Sequence, residues 1–232
     1  MDGIRALAFD TGGTVLDWHT GISTALAAAG RRTDLAMDWP AVANEYRRRS
    51  LRKMVGQVKP DFNIDDVHRE ILDELASEMS FDALPAEERA GIVRAWHALD
   101  AWPGFRPALA RLRKRYVVAS FTILSVALVI DVSRKNAVDW DCLICCEMLD
   151  VYKTQPEAYR RAAKLLQMRP EEILMVACHN FDLLAARKEG YRTAFVRRPD
   201  EWGAMGPPDP TPDPSTDIVV PDFAELANRL GA

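Results

Sequence analysis

Asp10 closes the apolar run "IRALAF" and is followed at once by Thr11, Gly12, Gly13 and Thr14. A carboxylate at a strand tip, beside a turn stripped of side chains, can be aimed at a small substrate as a nucleophile. Taken alone, the stretch reads more readily as a polar residue ending a strand before a glycine turn. Two other polar groups stand in the same relation to later apolar runs: Thr122 after "YVVASF", and Cys178–Asp182, "CHNFD", at the end of "EILMVAC". The cysteines offer a different chemistry. Cys142 and Cys145 have CxxC spacing, but three of the four thiols crowd into "CLICC" and no second Cys/His pair stands at ligand spacing. Thiols packing a buried strand fit that pattern better than zinc.

Six short apolar runs must position these groups: 4–9, 116–121, 141–145, 172–178, 193–196 and 217–220. Helical patterns lie between most of them, as in "PEAYRRAAKLLQM" and "FDLLAARKEG". Continuous rather than alternating apolar runs, separated by helices, predict a doubly wound parallel α/β sheet covered on both faces. Ligands of such sheets sit beyond the carboxyl ends of the strands, the edge at which Asp10, Thr122 and Cys178–Asp182 fall. Residues 18 to 98 break the alternation and read as helices only. Asp38 and Asn63 fit as N-caps, and Pro40 and Pro85 as first-turn residues. So long a helical stretch between two strands is an inserted bundle rather than a crossover. The Pro-rich segment 206–216 reads as an extended loop without chemistry.

The formal net charge of -4 gives no ground for nucleic-acid or membrane-surface binding. No apolar run approaches the roughly 20 residues that span a bilayer. The opening MDGIRALAFD has no signal-peptide pattern, so a cytoplasmic location is expected.

Four separated pieces resemble the haloacid dehalogenase superfamily and, within it, the 2-haloacid dehalogenases. They are "FDTGGTVLDW", "VVASFT", "YKTQPEAY" and "MVACHNFDLLAARKEGYRTAFV", in the family's order and spacing over nearly the whole chain. The resemblance implies an α/β core over residues 1–17 and 99–232 with a helical cap over 18–98. It implies cofactor-free, metal-free hydrolysis of short 2-haloacids, and is consistent with a homodimer. Asp10 would displace halide from the 2-carbon and form an ester that water then cleaves. Lys153 would keep Asp10 ionised where burial alone raises its pKa. Thr14 and Thr122 would offer hydroxyls to Asp10 or to the substrate carboxylate. Arg47, after the aromatic Tyr46, would meet the departing halide, with Phe181 lining that side. Asp182 would be the base or orient the water, helped by His179 and Asn180. Ser125 would bind the substrate carboxylate, and Tyr159 would pack near Lys153.

The sequence also departs from the pattern. Ile123 and Leu124 stand where these dehalogenases usually carry Asn-Gly, and Gly12 where they carry Tyr or Phe, which either enlarges the pocket or loosens it. Two alternatives follow. One is a magnesium-dependent phosphatase of the same superfamily, but Gly12 occupies the position of its general acid and Cys178 that of a metal-binding carboxylate, a poor exchange for a hard cation. The other is a binding protein of this fold whose turnover Ile123 and Leu124 have weakened.

Overall fold

A computed structural model describes residues 3–232. Its sheet contains β1 (Ala6–Phe9), β2 (Val117–Thr122), β3 (Cys142–Cys145), β4 (Ile173–Ala177), β5 (Arg192–Val196) and β6 (Ile218–Val220). The order is β3-β2-β1-β4-β5-β6 and every pairing is parallel. All six apolar runs form strands, with ends within two residues of those expected. The central strands β1 and β4 are buried along their whole length, which is why they read as unbroken apolar runs.

Strand order reverses at β1, with β2 and β3 on one side and β4 to β6 on the other. The crevice at such a reversal is where open α/β sheets bind ligands. The ladder also carries one residue past β1, because the Asp10 N–H donates to Val176 O at 2.9 Å. Asp10 is therefore held at the crevice mouth by the sheet itself.

Five helices separate β1 from β2: α1 (Trp18–Arg32), α2 (Trp39–Met54), α3 (Ile64–Glu78), α4 (Ala86–Trp96) and the short α5 (Phe105–Leu112), which leads back into the sheet. The first four pack on one another as a bundle, α1 against α2 and α4, and α3 against α2 and α4. The remaining helices, α6 (Val126–Asn136), α7 (Pro156–Leu166), α8 (Asn180–Lys188) and α9 (Phe223–Arg229), follow the later strands. The Asp38 side chain accepts the Ala41 N–H, and Asn63 forms a capping box with Asp66. Pro85 needs a small correction: it is the N-cap of α4, one place before the first turn. On α2, Arg48 and Arg49 pair with Glu45, and Lys53 with Glu70, towards solvent. Arg47 alone turns inward, 2% exposed.

The thiols of Cys145 and Cys146 are buried and free, and burial pushes that of Cys146 up to about 12. No helix among the described residues is long and apolar enough to cross a membrane.

Candidate active site

Asp10 is 7% exposed, and burial by itself would raise its carboxyl. The Lys153 charge and hydrogen bonds from His179 and Thr14 outweigh that, holding it well below the usual carboxylate range. The two oxygens are treated unequally. Oδ2 accepts from the Thr14 hydroxyl at 2.7 Å and contacts His179 Nδ1 at 3.1 Å. Oδ1 has only Lys153 Nζ, at the longer distance of 3.3 Å, and is the freer of the two to attack.

Lys153 sits 1% exposed at the centre of the crevice. Its ammonium donates to Phe121 O and to Asp182 Oδ2, both at 2.7 Å, and lies 4.4 Å from the centroid of the Phe121 ring. Burial opposes its charge, but Asp182 and Asp10 together raise its pKa above the ordinary value. Asp182 Oδ1 accepts from the Tyr159 hydroxyl at 2.7 Å. Both Asp182 oxygens are thus occupied, and burial leaves its pKa raised. Tyr159 packs near Lys153 as expected and also holds the carboxylate that holds the lysine.

Asp10, Gly12, Arg47, Leu51, Val55, Ile123, Lys153, His179, Phe181 and Asp182 line one cavity of about 10 Å³, room for about one water. Arg47 donates from Nη2 to Gly12 O at 3.2 Å, while its Nε and Nη1 are buried with no partner among the described residues. Its guanidinium lies 5.7 and 5.8 Å from the ring centroids of Trp18 and Trp96. The expectation that Gly12 opens or loosens the pocket needs correcting. A Cβ there would meet Arg47 Nη2 at 3.1 Å and the Leu124 methyls at 3.6 and 3.7 Å, so those two side chains fill the space.

Three expected substrate contacts are not brought to the cavity. Thr122 is fully buried, and its hydroxyl accepts the Leu124 N–H at 3.1 Å. Ser125 caps α6 by accepting from Leu128 N, and donates to Asp65 Oδ2 at 2.6 Å. Asn180 ties down the Pro-rich loop, donating to Thr211 O at 2.8 Å and accepting from Asp213 N at 2.9 Å. Each is used by the backbone of a turn or helix start, the common competing employment of hydroxyls and amides. Phe181 sits in the first turn of α8, lines the cavity and stacks on His179 at 5.2 Å.

Glu201 is the site residue that motif reasoning missed. It follows β5 in "RRPDEWG" and is 1% exposed. His179 bridges it to Asp10, with Nε2 2.9 Å from Glu201 Oε1. The Trp18 indole also donates to that oxygen, at 3.1 Å. The one available signal was position: an acid just beyond the carboxyl end of a strand, on the edge that carries Asp10. Gly13 makes room for it, with φ of 92° and a hypothetical Cβ only 2.1 Å from Oε1.

Cys178, His179 and Glu201 also form the one group of three metal-capable donors among the described residues, mutually within 4.8 Å. They are bonded to one another instead. The Cys178 thiol, pushed up to about 11 by burial and by Glu201, contacts Glu201 Oε2 at 3.5 Å. A cation would have to displace the imidazole–carboxylate bond and take the thiol's proton. The set does not resemble the oxygen cage magnesium requires.

The family described as haloacid dehalogenase-like hydrolase matches residues 4–190. The (S)-2-haloacid dehalogenase 4A of Burkholderia cepacia is 27% identical over 209 residues, covering 85% of each chain. Among solved structures, the defluorinating L-2-haloacid dehalogenase Rha0230 superposes with a TM-score of 0.91 at 35% identity, covering 99% of this chain and 96% of that one. The L-2-haloacid dehalogenase PA0810 gives 0.90 at 30% identity, covering 99% of both. A match spanning most of the sequence, joined to an aspartate at the tip of the first strand beside a buried lysine, leaves one assignment: the chain belongs to the haloacid dehalogenase-like hydrolases.

Proposed function

We propose that the protein is a hydrolytic dehalogenase of short 2-haloacids. The carrying observation is a nucleophile and an anion site on one cavity: Asp10, kept ionised by Lys153, and Arg47, with two buried guanidinium nitrogens left unpartnered. Asp10 Oδ1 attacks the 2-carbon, the carbon–halogen bond breaks, and its electron pair leaves with the halide beside Arg47. Charge grows on the halogen only as that bond breaks, so a fixed guanidinium favours the transition state over the ground state. Water then attacks Cγ of Asp10, releasing the hydroxyacid and restoring the carboxylate.

Relatives named as 2-haloacid dehalogenases support this reading. So does the placement of Arg47 on α2, whose Leu51, with Val55 at the helix's C-cap, lines the same cavity. A space of about 10 Å³ is too small for a haloacid. Substrate therefore enters with α2 drawn back, and residues 18–98 act as a cap that closes over it. The phosphatase alternative finds no acid at Gly12 and no carboxylate at Cys178.

Halide release from chloroacetate and 2-chloropropionate, with and without chelator, tests the assignment. Release independent of chelator and abolished in Asp10→Asn is expected. Undiminished release by Asp10→Asn, or magnesium-dependent turnover of p-nitrophenyl phosphate in place of halide release, overturns it.

A further inference from the structure

We propose that His179, oriented by Glu201, is the base that activates water for cleavage of the Asp10 ester, and that Asp182 serves instead to position Lys153. The inference rests on the dehalogenase reading above and assigns its second half.

Geometry excludes Asp182 from the task. One oxygen takes the Lys153 ammonium and the other the Tyr159 hydroxyl, each at 2.7 Å, and the residue is 1% exposed. Removing either bond would strand a buried donor. His179 has the reach. Its Nδ1 is 3.1 Å from Asp10 Oδ2, and its ring lines the cavity that has room for about one water. Its Nε2 faces a carboxylate that is itself fixed by Trp18 Nε1 and seated against Gly13. An imidazole whose far nitrogen donates to a buried carboxylate is held in the tautomer that leaves the near nitrogen free to accept a proton.

The resting arrangement has both ring nitrogens against carboxylate oxygens, and each contact needs an N–H. The free enzyme therefore holds an imidazolium. Its surroundings are Asp10 at the end of β1, the Cys178 thiol at the end of β4, Glu201 beyond β5, and Arg47 across the cavity on α2. Burial disfavours the charge, and Cys178, Glu201 and Asp10 are what raise the ring's pKa well above 6.5. The thiol is protonated near neutrality, which leaves the two carboxylates as the operative anions.

Alkylation converts Asp10 from an anion to a neutral ester and removes one of those two. The ring then gives its Nδ1 proton to solvent. Neutral His179 takes a proton from the water as the water oxygen bonds to Cγ. Collapse of the tetrahedral adduct breaks the Cγ–O bond to the 2-carbon, and the adduct's hydroxyl proton passes to the departing oxygen, giving the 2-hydroxyacid. Asp10 is again a carboxylate facing an imidazolium, the state inferred for the free enzyme. One halide and one proton leave per turnover, and the proton leaves with the first step rather than the second.

Single-turnover mixing of the full chain with chloroacetate, read by halide release, an indicator dye and intact mass, tests this. In the wild type the dye is expected to report one proton in the phase that follows halide release, before the ester decays. His179→Asn is expected to release a single equivalent of halide without that proton, and then to accumulate carboxymethylated Asp10. Its ester-cleavage rate should fall ~10²–10⁴-fold. Glu201→Gln keeps shape and a hydrogen-bond acceptor but loses the anion. In that variant the acid limb of the ester-cleavage rate is expected to move to lower pH, with alkylation retained. Sustained turnover by His179→Asn at near the wild-type rate, or an unmoved acid limb in Glu201→Gln, overturns the proposal and leaves the dehalogenase reading standing. A wild-type protein that neither releases halide nor gains mass at Asp10 removes both.

Discussion

A side-chain carbon placed on Gly13 would stand 2.1 Å from Oε1 of Glu201, at a backbone φ of 92°. The glycine pair after Asp10 is thus explained by contacts from distant parts of the chain. Gly12 yields to Arg47 and Leu124, and Gly13 to the carboxylate that supports His179. Gly13→Ala is expected to lose ~1–2 kcal/mol from the left-handed backbone alone. It should also displace Glu201, so turnover should fall further than thermal stability. Parallel melting and halide-release measurements check this, and an alanine variant with wild-type turnover contradicts it.

Lys153 compensates two buried carboxylates at once, Asp182 at 2.7 Å and Asp10 at 3.3 Å. Lys153→Met leaves both without their cation and is expected to destabilise the fold by ~3–5 kcal/mol. Adding Asp182→Asn should recover part of that stability, because one uncompensated charge is gone, and recover none of the activity. Urea denaturation of the single and double variants reads the first result, and halide release the second.

How much of this was legible in the sequence follows from what each residue type can otherwise do. Strands buried on both faces cannot alternate, so β1 and β4 announced themselves as unbroken apolar runs. Asp10 lies just past β1 and Asp182 in the first turn of the helix after β4, so the carboxyl ends of the central strands pointed to both, while Lys153 stood out by its motif. Thr122, Ser125 and Asn180 were misplaced because hydroxyls and amides at a strand end or helix start have a second employment, satisfying local backbone groups. Nothing in the residue type says which use prevails. Glu201 lies in an irregular loop and meets His179 only because β4 and β5 are paired. The filling of Gly12's space by Leu124 and Arg47 depends on the packing of α2 over the crevice, which no local pattern encodes.

The imidazolium of His179 makes stability depend on pH in a stated direction. Burial works against its charge, but Cys178, Glu201 and Asp10 raise its folded value well above 6.5. A raised value means the stabilisation is fully present below 6.5 and is lost as pH rises through the folded pKa. The melting-temperature difference between wild type and His179→Asn should therefore be largest near about pH 6 and shrink on the alkaline side. A difference that grows with pH contradicts the assignment of charge.

Leu124, packed against Gly12, is expected to limit the size of acid the proposed site accepts. Its methyls lie 3.6 and 3.7 Å from where a side chain on Gly12, a cavity-lining residue, would begin. Leu124→Ala is expected to cost ~2–5 kcal/mol of stability as a core truncation. The opened volume should shift preference from haloacetate towards 2-halobutyrate by ~10-fold in kcat/KM, the scale of a methylene's worth of pocket. An unchanged ratio shows that Leu124 packs the core without bounding the substrate.

Arg47 separates what the fold needs from what the chemistry needs. It is fully buried, makes one hydrogen bond to Gly12 O, and leaves Nε and Nη1 unpartnered between Trp18 and Trp96. A buried cation with donors to spare costs the fold more than an apolar side chain of similar length. Arg47→Met should accordingly keep the packing between the two indoles and match or exceed the wild type in denaturant midpoint. In the proposed reaction the same change removes the guanidinium beside the leaving halide, so halide release should fall ~10²–10³-fold, as for loss of an oxyanion-hole donor. The loss should be steepest for the halide that holds its charge most tightly, because fluoride draws most on hydrogen bonds as it departs. Rates for fluoro-, chloro- and bromoacetate in the two proteins read this directly. Equal losses across the three would mean that the guanidinium holds the substrate and does not meet the leaving group.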